Sequence, residues 1–368
     1  MRFNKKMLIM LCSVVAVILL VIVIMMLFVG GKSKVLEYAE IENKIVSAGK
    51  NYYEDNKNKL PQTGTISLDA DELVDAGYLN NLSTYTEEDV TCDGTLYVTK
   101  NPSGYSYRSV LDCNTNYKTK SFRDVVMSSL VTTDSGLYEE VQVNPDIENN
   151  VHTVYVFKGD NVNNYIKVGD YYWQIIKVLE NGEMMVIGDP ELLRSIWDNR
   201  FNVEENSYRG INNYLVSRMK DTIQTEVVDD EDGYLLIKGL ITTHTACAGK
   251  RYLDDTSRDG SAECSITLPD QYFSLLPVYD YMNASLDQNC DKALDNSCYN
   301  YNYLTSSVDE WWTITGVADN TSEVYYVDAN LDKEYSNITN EVRMVAYLDA
   351  NVTYVSGTGS YEDPYILK

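Results

Sequence analysis

Residues 92–113 read CDGTLYVTKNPSGYSYRSVLDC. Thr95–Lys100 and Tyr105–Val110 are rich in strand formers, and Asn101-Pro102-Ser103-Gly104 between them is turn chemistry. If Pro102 and Ser103 form the loop, the numbers of paired residues add to 205. Cys92 and Cys113 add to the same value, so they should face each other across the hairpin at disulfide distance. The segment before it is helical in pattern. Val35, Tyr38, Ala39, Glu42, Ile45, Val46, Gly49, Tyr52 and Tyr53 recur at three- and four-residue steps, with Glu42 the polar exception. Leu60-Pro61 ends that helix. A short strand is predicted near Thr65–Leu68. A second helix is predicted over Ala70–Ala76, with Asp69 as N-cap, Glu72 in the capping-box position and Gly77 at the C-terminal end.

Farther upstream, Met7–Val29 is an uncharged run of 23 residues. As a helix it would span about 35 Å, enough for a bilayer core of roughly 30 Å. It exceeds the apolar region of a cleaved signal peptide, and Phe28-Val29-Gly30-Gly31 is a poor cleavage site. Arg2, Lys5 and Lys6 precede it, so residues 1–6 should be cytoplasmic and everything after residue 30 external. The expected organisation is therefore a cytoplasmic tip and transmembrane anchor (1–30), a stalk domain (31–115), a connector (116–150) and a β-rich distal domain (151–368).

Beyond residue 30 there are 27 basic and 55 acidic residues, a net charge of −28. Such a surface repels phosphate backbones and argues against nucleic acid as a partner. The lipid bilayer is the partner implied by residues 7–29. Six of the seven cysteines lie outside the apolar run, in three local couples: Cys92/Cys113, Cys247/Cys264 and Cys290/Cys298. An even number in a translocated chain reads as disulfides, with Cys12 left free. Zinc is the competing reading, but there is no C-x2-C, and His152 and His244 are the only histidines. The 31 tyrosines against 6 phenylalanines suit half-buried strands.

After residue 150 the text is strand-like. Val151–Phe157 alternates, and Tyr171–Leu179 and Glu183–Ile187 flank Asn181-Gly182, a two-residue hairpin signal. Arg209–Ile223 reads as a helix with Ile211, Leu215, Met219 and Ile223 on one face, and Leu268-Pro269-Asp270 as the start of another. Trp311–Thr315, Val324–Val327 and Val342–Leu348 are apolar or alternating.

Motifs for chemistry are sparse. G-x-x-x-x-G-K and G-x-G-x-x-G are absent. Asp255, Ser257 and Asp259, followed by Gly260, fit the first half of a calcium loop, with oxygen ligands at alternate positions. Position twelve is Ile266 rather than Glu, and a polar turn inside a disulfide loop is the competing reading. Calcium is the single cofactor considered. Leu60-Pro61-Gln62-Thr63-Gly64 matches the sortase signal, but so far from residue 368 it reads as a helix stop and turn. No catalytic residues are assigned, and no enzyme is expected.

Two resemblances extend this reading. Residues Ile41–Leu82 together with Cys92-Asp93-Gly94 resemble type IV pilin-like or pseudopilin-like surface proteins of low-GC Gram-positive bacteria. Lys6-Met7 stands where prepilins carry G-F-x-x-x-E. Tyr172-Trp173-Gln174-Ile175-Ile176, Leu268-Pro269, Trp311-Trp312, Val342-Arg343 and the closing SGTGSYEDPYIL resemble uncharacterised bacterial surface domains. Those domains are similar to the C-type-lectin-like fold of formylglycine-generating enzymes. Thr313-Ile314-Thr315 and Met344 depart from that pattern, and Cys290 and Cys298 do not sit in the enzyme's cysteine context. The fold class expected is α+β: an N-terminal transmembrane helix, a pilin-like helix with a small antiparallel sheet, then a mixed β-rich, C-type-lectin-like domain. The resemblances imply a single-pass surface protein in structural or adhesive display, as a subunit alongside pilus-like or secretion assembly proteins. A lectin-like binder of glycan or peptide is the alternative, and an enzyme of unknown type comes third.

Overall fold

The computed structural model describes residues 35–146, 151–189, 193–229, 236–287, 289–294, 298, 302–305 and 310–368. The expected anchor at 7–29, Cys12 and part of the polar stretch 287–303 lie outside them. Among the described residues, no helix is long and apolar enough to cross a membrane. The fold is α+β and strand-rich, with sheets that are mostly antiparallel.

The first unit follows the sequence pattern closely. Helix α1 (Tyr38–Asp55) lies on a sheet of β1 (Thr65–Asp69), β2 (Asp93–Asn101) and β3 (Gly104–Asp112). Helix α2 (Ala70–Asp75) follows β1, and Gly77 beyond it has the left-handed φ of +80° expected of a helix end. Ile41, Ile45, Ala48 and Tyr53 of α1 bury themselves with Leu96, Val98 and Leu111. Every β2–β3 pair adds to 205, from Asp93↔Asp112 to Asn101↔Gly104, and the Cys92–Cys113 disulfide closes the open end. Glu42 is tolerated on the apolar face because it has partners there. Its carboxylate accepts from Tyr117 Oη at 2.9 Å and Thr119 Oγ1 at 2.5 Å.

The second unit begins earlier than the sequence pattern suggests. Residues 116–150, expected as a connector, supply helix α3 (Phe122–Met127) and strand β4 (Gly136–Val143). Phe122, Val126 and Leu137 are fully buried there. Strand β4 pairs along its whole length with β5 (Val151–Lys158) at the edge of an eight-stranded sheet. That sheet runs β10 (Ile241–Thr242), β19 (Met344–Leu348), β8 (Met184–Gly188), β7 (Tyr171–Leu179), β5, β4. In addition, β14 (Ser274–Leu275) pairs with β19, and β6 (Tyr165–Val168) with β7. A second sheet runs β17 (Leu331–Tyr335), β16 (Glu323–Val327), β15 (Trp311–Val317), β18 (Thr339–Glu341), β9 (Arg194–Ile196). Strand β12 (Lys250–Arg251) lies parallel to β15. Two short pairs complete the unit, β11 (His244–Cys247) with β13 (Thr267–Gln271) and β20 (Tyr354–Ser356) with β21 (Ile366–Leu367).

Strands β8, β15 and β19 are buried along their whole length, which explains text that is apolar throughout β8 and β19 and broken only by Thr313 and Thr315 in β15. All four tryptophans, Trp173, Trp197, Trp311 and Trp312, lie in this one core. The helix expected over 209–223 is shorter. Ser217 accepts from the Lys220 amide at 3.1 Å and starts α4 at Arg218 (Arg218–Ile223). The helix expected at Leu268-Pro269 is strand β13 instead. The Leu-Pro pair that does open a helix is Leu276-Pro277, before α5 (Val278–Asn283). The β7–β8 loop is also longer than two residues. Val178 pairs with Met184, and Leu179 donates to the Glu183 carbonyl at 2.8 Å. Glu180-Asn181-Gly182 therefore make the turn, with Gly182 at φ +92°.

Candidate functional site: buried charge in the β-rich unit

Three arrangements, two inside the second unit and one between the units, hold charge away from water. The first sits where β4, β7, β11 and β14 meet α5. Strand β7 shifts register against β8 between Ile175 and Lys177, the kind of bulge that re-aims a side chain. Lys177 ends inside, its side chain 4% exposed, against Asp280 of α5 at 0%. Lys177 Nζ donates to the two Asp280 oxygens at 2.7 and 2.9 Å and to Gln142 Oε1 at 2.8 Å, and it lies 3.2 Å from Tyr279 Oη. Burial pushes the Lys177 amine down and the Asp280 carboxyl up, each toward its uncharged form, while their mutual attraction opposes both shifts.

Beside them His244 Nε2 is 3.0 Å from Ser274 Oγ, and the imidazole lies 4.2 Å from the Tyr347 ring. Burial lowers the His244 pKa to about 3, so the ring is neutral at any ordinary pH. The cavity these groups line has about 30 Å³ of free space. Pockets that hold drug-sized ligands run to several hundred Å³, so a sugar or peptide does not fit here. Chemically the site can hold an amine against a carboxyl with bulk water excluded.

The second arrangement occupies the expected calcium loop. Arg251 on β12 is fully buried, and the loop folds around its guanidinium. Its Nε and Nη2 donate to Glu263 Oε1 and Oε2 at 2.8 and 3.0 Å. Nη2 also donates to the Ser257 carbonyl at 2.7 Å, and Nη1 to the Asp255 carbonyl at 3.2 Å. Asp255 Oδ1 accepts from the Ser257 amide and hydroxyl at 2.8 and 2.6 Å. Asp259 Oδ1 accepts from the Ser261 amide, and the Asp259 carbonyl from the Val143 amide. Asp255 Oδ1, Asp259 Oδ1 and the 255, 257 and 259 carbonyls therefore already have donors, and the cation that the 255 and 257 carbonyls face is the chain's own arginine. The Cys247–Cys264 disulfide closes this loop.

The third arrangement joins the two units. Asp349, just after β19, accepts from Thr99 Oγ1 at 3.0 Å and from Thr65 Oγ1. Arg108 of β3 is buried and donates to the Gly239 carbonyl at 2.5 Å. Burial lowers its pKa, and the Asp349 charge opposes that shift. Lys368 lies 3.7 Å from Glu42 of α1.

All three cysteine couples are bonded as expected, Cys92–Cys113, Cys247–Cys264 and Cys290–Cys298. Asp287 comes close to Cys290 and Cys298, but sulfurs in a disulfide offer no thiolate to a metal. A cleft beside that bond is lined by Tyr281, Ser285, Lys292, Asn330 and Asp332 among others. Lys177 was legible as the one charge in a buried apolar run, and Asp280 as the one charge in VYDYM. Their meeting across 103 residues of sequence was not. No protein-family model matches this chain, and neither the curated proteins nor the solved structures give a match.

Proposed function

We propose that the chain is a membrane-anchored extracellular surface protein with a structural or adhesive display role, a pilin-like subunit working with pilus-like or secretion assembly proteins. The observation that carries this reading is the partly buried contact of Thr65, Thr99 and Arg108 with Asp349 and Gly239. It holds the α1 unit, which follows the apolar run, directly against the β-rich unit. A part anchored through residues 7–29 would thus present the large unit in a fixed orientation. The three disulfides support an oxidising compartment outside the cytoplasm, and the acidic surface suits solubility at a crowded cell boundary.

The test is protease treatment of intact, wall-stripped cells, combined with affinity capture of the full chain. Digestion of residues after 34 and co-purification of assembly proteins are the expected results. Full protection of the β-rich unit would overturn the topology. A lectin-like role is the second reading, favoured by the cleft beside Cys290–Cys298. Saturable glycan-array binding by the detergent-solubilised full chain, lost on Asp332→Ala, would favour it over display alone.

A further inference from the structure

We infer that Lys177 and Asp280 form an intramolecular amide: Nζ of Lys177 bonds to Cγ of Asp280 with loss of one water, fastening strand β7 to helix α5. The two groups are already in contact, at 2.7 and 2.9 Å, with side chains 4% and 0% exposed. Their surroundings exclude bulk water, since the adjoining cavity has about 30 Å³ of free space. Condensation is disfavoured in dilute solution. Two groups held in one orientation behave as if present at about 10⁵–10⁸ M, which offsets that handicap.

The balance of the step is simple. The ammonium passes one proton to the carboxylate, leaving a neutral amine and a carboxylic acid. Burial favours both of those forms. The Nζ lone pair then attacks Cγ, and the carbonyl electron pair moves onto oxygen. When that pair returns, the hydroxyl leaves and takes one proton from nitrogen, so that water departs and no oxidant or reductant is needed. Gln142 Oε1, 2.8 Å from Nζ, accepts an N–H and fixes the amine. Tyr279 Oη, 3.2 Å from Nζ, is placed to carry the proton from nitrogen to the leaving oxygen.

Both carboxyl oxygens are near Nζ, so the amine approaches the edge of the carboxyl group. Rotation about the Asp280 Cβ–Cγ bond, a broad torsion, turns the face of the carbon toward it. There is also a thermodynamic motive. A buried ion pair returns little net stability because two ions must be desolvated, whereas the amide carries no charge.

The test is the intact mass of the full chain, extracted in detergent, with its three disulfides reduced and alkylated. The expected mass is lower than that of the alkylated sequence by one water, about 18 Da. Proteolysis should yield a branched peptide joining the segments around 177 and 280. Lys177→Arg and Asp280→Ala should each restore the full mass. That reading does not depend on whether the variants fold, because an unfolded chain has the same mass. A wild-type chain at full mass would overturn the inference. So would a water loss that maps to Asp93-Gly94 or Asp259-Gly260, where a succinimide could form, or that persists in Lys177→Arg.

Discussion

Replacing Arg251 with methionine tests whether the 251–263 loop is built around an internal cation. The change removes two charge-assisted bonds to Glu263 and the donors to the Asp255 and Ser257 carbonyls. Glu263 would keep the Tyr279 amide, 3.1 Å from Oε1, and little else. Breaking a buried pair by removing one partner costs about 3–5 kcal/mol. The Asp255 side chain is 26% exposed, so water can reach that part of the loop and the lower half of the range applies. At roughly 2–4 °C per kcal/mol for a unit of this size, the melting temperature should fall by about 6–16 °C. Burial already pushes the Glu263 carboxyl up, and Arg251 opposes it. Without the arginine, that pKa rises further above its unfolded value. The deficit should therefore be largest at neutral pH and shrink as the pH falls toward 5. Arg251→Met with Glu263→Leu should recover more than half of the loss, because no lone charge remains. The assay is thermal unfolding of the full chain without reductant, at pH 5 and 7.5, with and without millimolar calcium. An Arg251→Met chain that melts within about 1 °C of wild type would refute the reasoning. A clear rise in the wild-type melting temperature with calcium would show that the loop oxygens are free for an external ion.

Three further outcomes follow. Burial raises the Glu183 pKa to about 7, above its ordinary value of 4.5. Its favourable contribution is complete below the unfolded pKa and is lost as pH climbs through 7. Glu183→Gln should thus stabilise the chain at pH 8 by about 2–3 kcal/mol and flatten the pH profile, as denaturant titration would show. Gly49 lies on the buried face of α1, where an added Cβ would sit 2.1 Å from Leu96 Cδ2. Gly49→Ala should destabilise by about 1–3 kcal/mol despite its better helix propensity, and a gain in melting temperature would contradict the packing. Arg108→Ala removes the bond to Gly239, at about 2 kcal/mol or roughly 30-fold in the undocked fraction. Limited proteolysis within 113–121 should quicken accordingly, and unchanged cleavage would show that the two units are held by other contacts.

The parts of the fold legible in sequence are those decided locally. The β2–β3 register follows from a two-residue turn and two cysteines, and α1 from its apolar stripe. The failures are positions where distant residues decide. Gly210 sits at φ +84° against the Asp198 carbonyl, and the Asn212 side chain bridges to the Val317, Asn320 and Glu323 carbonyls. Those contacts hold 210–213 out of the helix that its apolar spacing suggests. Pro269 is accommodated in a strand because β13 pairs on one side only, with β11. Residues 136–143 read as polar connector because β4 is an edge strand whose Glu139 and Val141 face solvent. The oxygens read as a calcium pattern at 255–259 include two carbonyls, of Asp255 and Ser257, that face a cation inside the chain. What the linear text did not reveal is that Arg251, four residues before Asp255, turns inward to donate to both.

The order of strands in the large sheet also sets a timetable for synthesis. Strand β8 lies between β7, which precedes it by a tight turn, and β19, which comes near the end of the chain. At about 5–20 residues per second, the ribosome needs roughly 10–30 s to make residues 189–343. Throughout that time Met184–Gly188, an entirely apolar strand, has one edge without its native neighbour. A nascent chain of this design depends on a holding factor, or on remaining extended, until β19 emerges. Truncation between residues 189 and 343 would leave a sticky open sheet rather than a smaller folded protein.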